Sequence, residues 1–211
     1  MGSSTLDWVI FDLGAVLVDW NPRYLYRRYT KDESHIETFL REVATSEWNS
    51  QMDAGELFQS AIDQRCEKYP EWKAWLQDWR DHWPTMLNGP ILESVEIFNE
   101  VVAARRAGKL KAVLALSNWE ANTFKIAQAR FPFLGDFDGK LISGEERLIK
   151  PDPRFFQLLI DRYGVVPSRA IFIDDLAKNT SVAEGMGFRT HHFENPAKLR
   201  HHLVELKVIA N

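Results

Sequence analysis

Cysteine is nearly absent from this chain: Cys66 is the only one in 211 residues. An internal disulfide is therefore excluded and a reducing compartment is expected. No His or Asn frames Cys66 as a nucleophile, so it reads as an inert thiol. Long apolar runs are missing too, and none approaches the roughly 18 residues of a membrane span. The opening "MGSSTL" lacks the basic-then-apolar order of a leader. It also places Leu6 where myristoylation wants Ser or Thr. A cytoplasmic location is predicted, with no membrane partner. Neither charge sign dominates: 26 Lys and Arg face 30 Asp and Glu, a formal net charge of -4. The basic pairs Arg27-Arg28 and Arg105-Arg106 read as solvated helix faces, so no nucleic acid partner is expected. Glycine-rich Walker and dinucleotide fingerprints are lacking, which excludes a nucleoside-triphosphatase and a dehydrogenase. His191-His192 and His201-His202 lack zinc-ligand spacing, and His35 and His82 stand alone.

Hydrophobic residues make up 45% and charged residues 27%, as in an ordinary globular protein. Three short apolar runs end in polar residues: "WVIFD" (8–12), "AVLALSN" (112–118) and "AIFIDD" (170–175). Each is too short for a buried helix and reads as a strand covered on both faces. "THHF" (190–193) reads as a further, more exposed strand. Between them lie helical patterns with legible ends. "PILESVEIFNEVVAARRAG" runs from Pro90 to Gly108, and "DPRFFQLLIDRYG" from a capping Asp152 to Gly164. "EANTFKIAQARF", "NTSVAEGMG" and "NPAKLRHHLVEL" complete the set. Strand alternating with helix predicts an α/β fold, a Rossmann-like three-layer core around a parallel sheet.

From about residue 20 to 88 the alternation stops. "NPRYLYRRYT", "DESHIETFLREVAT", "GELFQSAIDQRCEKY" and "PEWKAWLQDWRDHW" read as consecutive helices, an all-helical insertion. Six of the eight tryptophans fall here. Trp72, Trp75, Trp79 and Trp83, spaced 3, 4 and 4, are expected on one helix face. They read as an aromatic core, or as partial walls of a substrate pocket.

In an open parallel sheet, ligands bind outside the carboxyl ends of the strands. Those ends carry Asp12, Ser117-Asn118 and Asp174-Asp175, and "LIKPDP" adds Lys150. Two carboxylates about 4 Å apart repel by roughly 4 kcal/mol at an effective dielectric of 20. One lysine does not balance three acids, so a divalent cation is expected, and all-oxygen ligation suits Mg²⁺. Such a site suits phosphoryl transfer, with an aspartate attacking phosphorus and Ser117 holding a phosphate oxygen. Singly, each acid or hydroxyl could instead cap a turn or helix.

These residues, in this order, resemble the haloacid dehalogenase-like (HAD) hydrolase superfamily, in its branch with a helical cap after the first motif. "FDLGAVL" is similar to the first motif, "LALSN" to the second, Lys150 of "IKPDP" to the third and "FIDD" to the fourth. The resemblance implies a core over residues 1–18 and 89–211 with a cap over 19–88. It implies Asp12 as nucleophile and Mg²⁺ ligand, and the Gly14 carbonyl and Asp175 as further ligands. Asp174 would bind directly or through water. Ser117, Asn118 and Lys150 would hold the transferring phosphate. A small phosphorylated metabolite is the implied partner of a monomer or homodimer.

Gly14 departs from the commoner "DxD" first motif, whose second acid transfers protons. General acid–base catalysis is worth roughly 10²–10⁴-fold, and three outcomes stay open. The first is an Mg²⁺-dependent phosphatase acting through an aspartyl-phosphate, with another proton donor or a good leaving group. Bacterial capped hydrolases with "DLGNV"-like motifs, where Ala15 here replaces the asparagine, point to sugar phosphates. Asp19, Asp53 and Glu56 are the acids the insertion offers, each alternatively a surface acid. The second is a metal-independent 2-haloacid dehalogenase, and the third a catalytically weak phospholigand- or protein-binding relative. Arg23, after "WNP", either reaches a substrate anion or sits on an exposed helix start.

Overall fold

The structure, a computed structural model, describes residues 6–210, so the leader and myristoylation readings of Met1–Thr5 lie outside the described residues. The short apolar runs form strands because Val, Ile and Phe pack well on a pleated surface covered from both sides. Trp8–Phe11 (β1), Ala112–Ser117 (β4), Gly139–Ile142 (β5), Ala170–Asp174 (β6) and Arg189–His192 (β7) make one parallel sheet, ordered β5-β4-β1-β6-β7. β1 is central, with Phe11 beside Ala115 on one side and Ile173 on the other. Leu92–Arg106 (α6), Ala121–Arg130 (α7), Pro153–Tyr163 (α9), Ala177–Gly185 (α10) and Pro196–Glu205 (α11) flank it. This is the expected three-layer α/β arrangement. β5 lacked a usable signal in the sequence, being four residues at the sheet edge with only two buried.

Helix ends follow the local chemistry. Asp152 caps α9 by accepting the Arg154 backbone N–H, and Gly164 closes it at φ 62. α6 starts two residues after Pro90, because Pro90 is itself part of a strand. That strand, Leu87–Pro90 (β3), pairs antiparallel with Val18–Trp20 (β2). The pair joins the points where the chain leaves and re-enters the sheet layers; both strands are too short to show in the sequence.

Between β2 and β3 lie Arg23–Tyr26 (α1), Glu33–Thr38 (α2), Ser46–Asp53 (α3), Phe58–Lys68 (α4) and Lys73–Asp81 (α5). α3 falls in a gap between the expected helices. The tryptophan stripe is not one helix face. Trp72 closes the short turn Pro70–Trp72, Trp75 and Trp79 lie in α5, and Trp83 opens the turn Trp83–Met86. Pro70 and Pro84 start these turns, where a missing N–H is tolerated. The rings still converge: Trp75 stacks on Tyr26 at 4.6 Å, and Trp79 is buried against Trp20 and Trp48. Cys66 is half-buried, and burial pushes its thiol pKa up, as an inert thiol requires. Among the described residues no helix is long and apolar enough to cross a membrane.

Candidate active site

Adjacent parallel strands stand about 4.8 Å apart, so β4, β1 and β6 bring Ser117, Asp12 and Asp174 side by side at their carboxyl ends. Ser117 and Asp174 end their strands, and Asp12 follows β1 with its N–H on the Ile173 carbonyl at 2.8 Å. Three donors converge on Asp12 Oδ1: the Leu13 N–H at 2.7 Å, the Ser117 hydroxyl at 2.6 Å and Lys150 Nζ at 3.0 Å. Lys150 Nζ also donates to Asp174 Oδ2 at 2.7 Å. The Lys150 side chain is fully buried, as is that of Asp174. Asn179 Nδ2 bonds both oxygens of Asp174, at 2.9 and 3.1 Å, and the Leu176 N–H adds a bond at 2.8 Å. Asn179 went unnoticed in the sequence, although it stands five residues after Asp174 in the first turn of α10.

Asp12, Asp174 and Asp175 each offer a carboxylate oxygen within 4.8 Å of the other two. At that separation each ionised pair costs about 3–4 kcal/mol at an effective dielectric of 20. Burial pushes Asp12 up to about 7, against the pull of Lys150 and with Asp174 adding to the rise. Burial, then the Asp174 charge, also raises Asp175. For Lys150, burial disfavours the ammonium, but Asp12 and Asp174 outweigh it and hold the pKa above the ordinary value. One cation shared among three acids leaves a charge deficit, and an oxygen-rich donor set of this kind fits Mg²⁺.

Asn118 turns its side chain to the lysine loop. Its side chain clamps the Lys150 backbone, donating to the Lys150 carbonyl at 2.9 Å and accepting the Lys150 N–H at 2.8 Å. It positions the lysine loop, while the residue still lines the cavity beside Asp12. Gly14 follows Asp12 by two, and a Cβ built there meets nothing within 4 Å. Ala15 has φ 57, a left-handed conformation that asparagine tolerates better than alanine.

A cavity of about 450 Å³ opens above these residues. Asp12, Lys150 and Asp175 line its floor; Ser46, Asn49 and Ser50, spaced 3 and 1 along α3, line the opposite wall. A smaller cavity adjoins it at Gly14, walled by Trp20, Trp83 and Trp119 and reached by Asp53. Tryptophans of the insertion thus wall both cavities, Trp79 in the larger and Trp83 in the smaller. Arg23 lines the larger cavity, yet its guanidinium forks onto Glu37 at 2.6 and 2.7 Å. Asp19 is held by the Tyr24 hydroxyl and the Asn88 amide, at 2.8 and 2.9 Å.

The chain is 25% identical over 216 residues to D-ribitol-5-phosphate phosphatase of Bacteroides thetaiotaomicron, covering 96% of this chain and 98% of that one. It is 24% identical over 201 residues to mouse acyl-CoA dehydrogenase family member 10, covering 89% of this chain but 18% of the relative. The chain thus spans about a fifth of that mouse relative. Its fold matches a HAD family enzyme of Bacteroides thetaiotaomicron in complex with magnesium and inorganic phosphate. The TM-score is 0.66 at 20% identity, covering 92% of this chain and 98% of that one. The family model for haloacid dehalogenase-like hydrolases matches residues 6–187. By that match, over most of its length, the chain belongs to the haloacid dehalogenase-like hydrolase family.

Proposed function

We propose that the protein is an Mg²⁺-dependent phosphatase of a small phosphomonoester, working through an aspartyl-phosphate on Asp12. The observation that carries this reading is the convergence of three carboxylates and a buried lysine on one strand-end crevice. In this reading the helices between β2 and β3 act as a cap, residues 19–88, over a core formed by 1–18 and 89–211. All three bonds described above meet on Oδ1 of Asp12, so Oδ2 is the oxygen that attacks phosphorus. Lys150 and the Ser117 hydroxyl steady the phosphate oxygens, and Asn118 holds Lys150 in place. Asp12, Asp175 and the Gly14 carbonyl would hold the ion, whose charge neutralises phosphate oxygens when it is bound. Asp174 has both oxygens engaged by Lys150 and Asn179, which favours a role through water.

The Ser46, Asn49 and Ser50 wall suits a hydroxylated organic group, and the cavity volume suits a small metabolite. Named relatives lend weight in the same direction: one is a sugar-alcohol phosphate phosphatase and one binds magnesium and phosphate. Dehalogenation without metal would set an anionic substrate beside Asp12, Asp174 and Asp175 with Lys150 alone to balance them.

Phosphate release from a panel of polyol and sugar phosphates, with Mg²⁺ or with chelator, tests the reading beside 2-haloacids. The expected result is release that needs both Mg²⁺ and Asp12, and that vanishes in Asp12→Asn. Halide release indifferent to chelator would overturn it.

A further inference from the structure

Hydrolysis through Asp12 requires a proton for the departing alkoxide and a base for the attacking water, and Gly14 supplies neither. The space above Gly14 is open, and a carboxylate from another element lines the same cavities. Asp53, the last residue of α3, lines both cavities that touch Gly14. It is held in place by Asn49, whose Nδ2 donates to Oδ2 at 3.0 Å. The other nearby acids are committed elsewhere. Glu120 caps α7 through the N–H groups of Asn122 and Thr123, and Asp19 is held by Tyr24 and Asn88. Glu56 lines neither cavity.

Resting on the aspartyl-phosphate reading, we propose that Asp53 is the proton-transfer group of this enzyme, delivered by α3 in place of the acid missing at position 14. In the first step Asp12 Oδ2 forms a bond to phosphorus and the bond from phosphorus to the ester oxygen breaks. The electron pair goes to that oxygen, which takes the proton of the Asp53 carboxyl. In the second step the Asp53 carboxylate takes a proton from water as its oxygen attacks phosphorus. The bond to Asp12 breaks, inorganic phosphate leaves, and Asp53 is again protonated. The electrostatics agree. Enclosure, then the negative charges of Glu120 and Asp12, raise Asp53 to about 7. Arg147 packs its aliphatic stem near Gly55, two residues on. A group near neutrality serves both steps.

The test compares an alkyl phosphomonoester, whose leaving group needs a proton, with p-nitrophenyl phosphate, whose leaving group does not. Asp53→Asn keeps the size and one acceptor oxygen, so a merely structural role would slow both first turnovers equally. The expected result is a loss of roughly 10²–10⁴-fold for the alkyl ester, with the first-turnover burst of p-nitrophenol kept within about threefold. Glu56→Gln is expected to match wild type. Equal losses for both leaving groups, or alkyl ester turnover at the wild-type rate, would overturn the proposal while leaving the phosphatase reading intact. No Asp12-dependent phosphate release from wild type would overturn both. Should Asp53→Asn unfold early, Asp53→Ser decides by the same comparison: a loss confined to the alkyl ester is expected, and equal losses for both leaving groups contradict the proposal.

Discussion

The sheet side of the larger cavity and the α3 side are built differently. On the sheet side, Ser117, Lys150 and Asp174 are buried and tied to one another and to Asp12 by bonds of 2.6–3.0 Å. On the α3 side, Ser46 is exposed, and Asn49, Ser50 and Asp53 are half-buried. The buried side holds its groups in one geometry, as chemistry at a single phosphorus demands. The half-buried side is expected to tolerate exchange of its polar groups, since less packing surrounds them. Its final residue, Asp53, is the proposed link between the two.

The largest effect on stability should come from breaking the buried side. Lys150→Met leaves Asp12 and Asp174 buried without their cation, and an expected loss of about 3–5 kcal/mol follows in denaturant unfolding. A smaller loss tests how tightly the surrounding backbone packs. Gly144 is the second residue of the Ser143–Glu146 turn (α8), and a Cβ there would lie 2.5 Å from the Ala121 nitrogen and 2.9 Å from the Trp119 carbonyl oxygen. Gly144→Ala is expected to cost about 1–3 kcal/mol. The same change at Gly14, where the space is open, should cost less in the same assay.

Acid sensitivity separates the framework from the cavity. His191 is buried, with Nε2 unpaired and Nδ1 against His202 at 2.9 Å. Burial, then the His202 charge, lowers its pKa to about 4. The unfolded chain therefore binds more protons between about pH 6.5 and 4, so stability is full above that window and falls as pH drops through it. In His191→Leu the fall in melting temperature between neutral and acid pH should shrink; an unchanged fall would contradict this assignment. The smallest effect belongs to the exchangeable side. Ser46→Ala removes one hydrogen-bonding group from the cavity wall and is expected to lower kcat/KM about 2- to 12-fold, with melting nearly unchanged.

How much of this was legible in the sequence follows the same division. β1, β4 and β6 announce themselves because strands covered on both faces must be apolar and end where the polar site begins. Asp12, Ser117 and Asp174 were readable for that reason, and Lys150 from its motif in the loop before α9. α3 was not: Trp48 and Met52 are its only buried positions, and its cap, Thr45, sits among other polar residues. A closer look at Thr45 as a cap, with Trp48 and Met52 four apart, was the available signal. Asn118 shows a further limit, since its bonds to the Lys150 backbone join residues 32 apart. The bends around Trp72 and Trp83 came from prolines whose effect a spacing rule ignores.

The most direct measurement of the central claim is acid-quenched trapping during turnover with Mg²⁺, followed by peptide mass analysis. The account predicts one phosphoryl group on the peptide containing Asp12 in wild type, and none in Asp12→Asn. Steady turnover of a phosphomonoester with no label on that peptide, or with label on another residue, would contradict it.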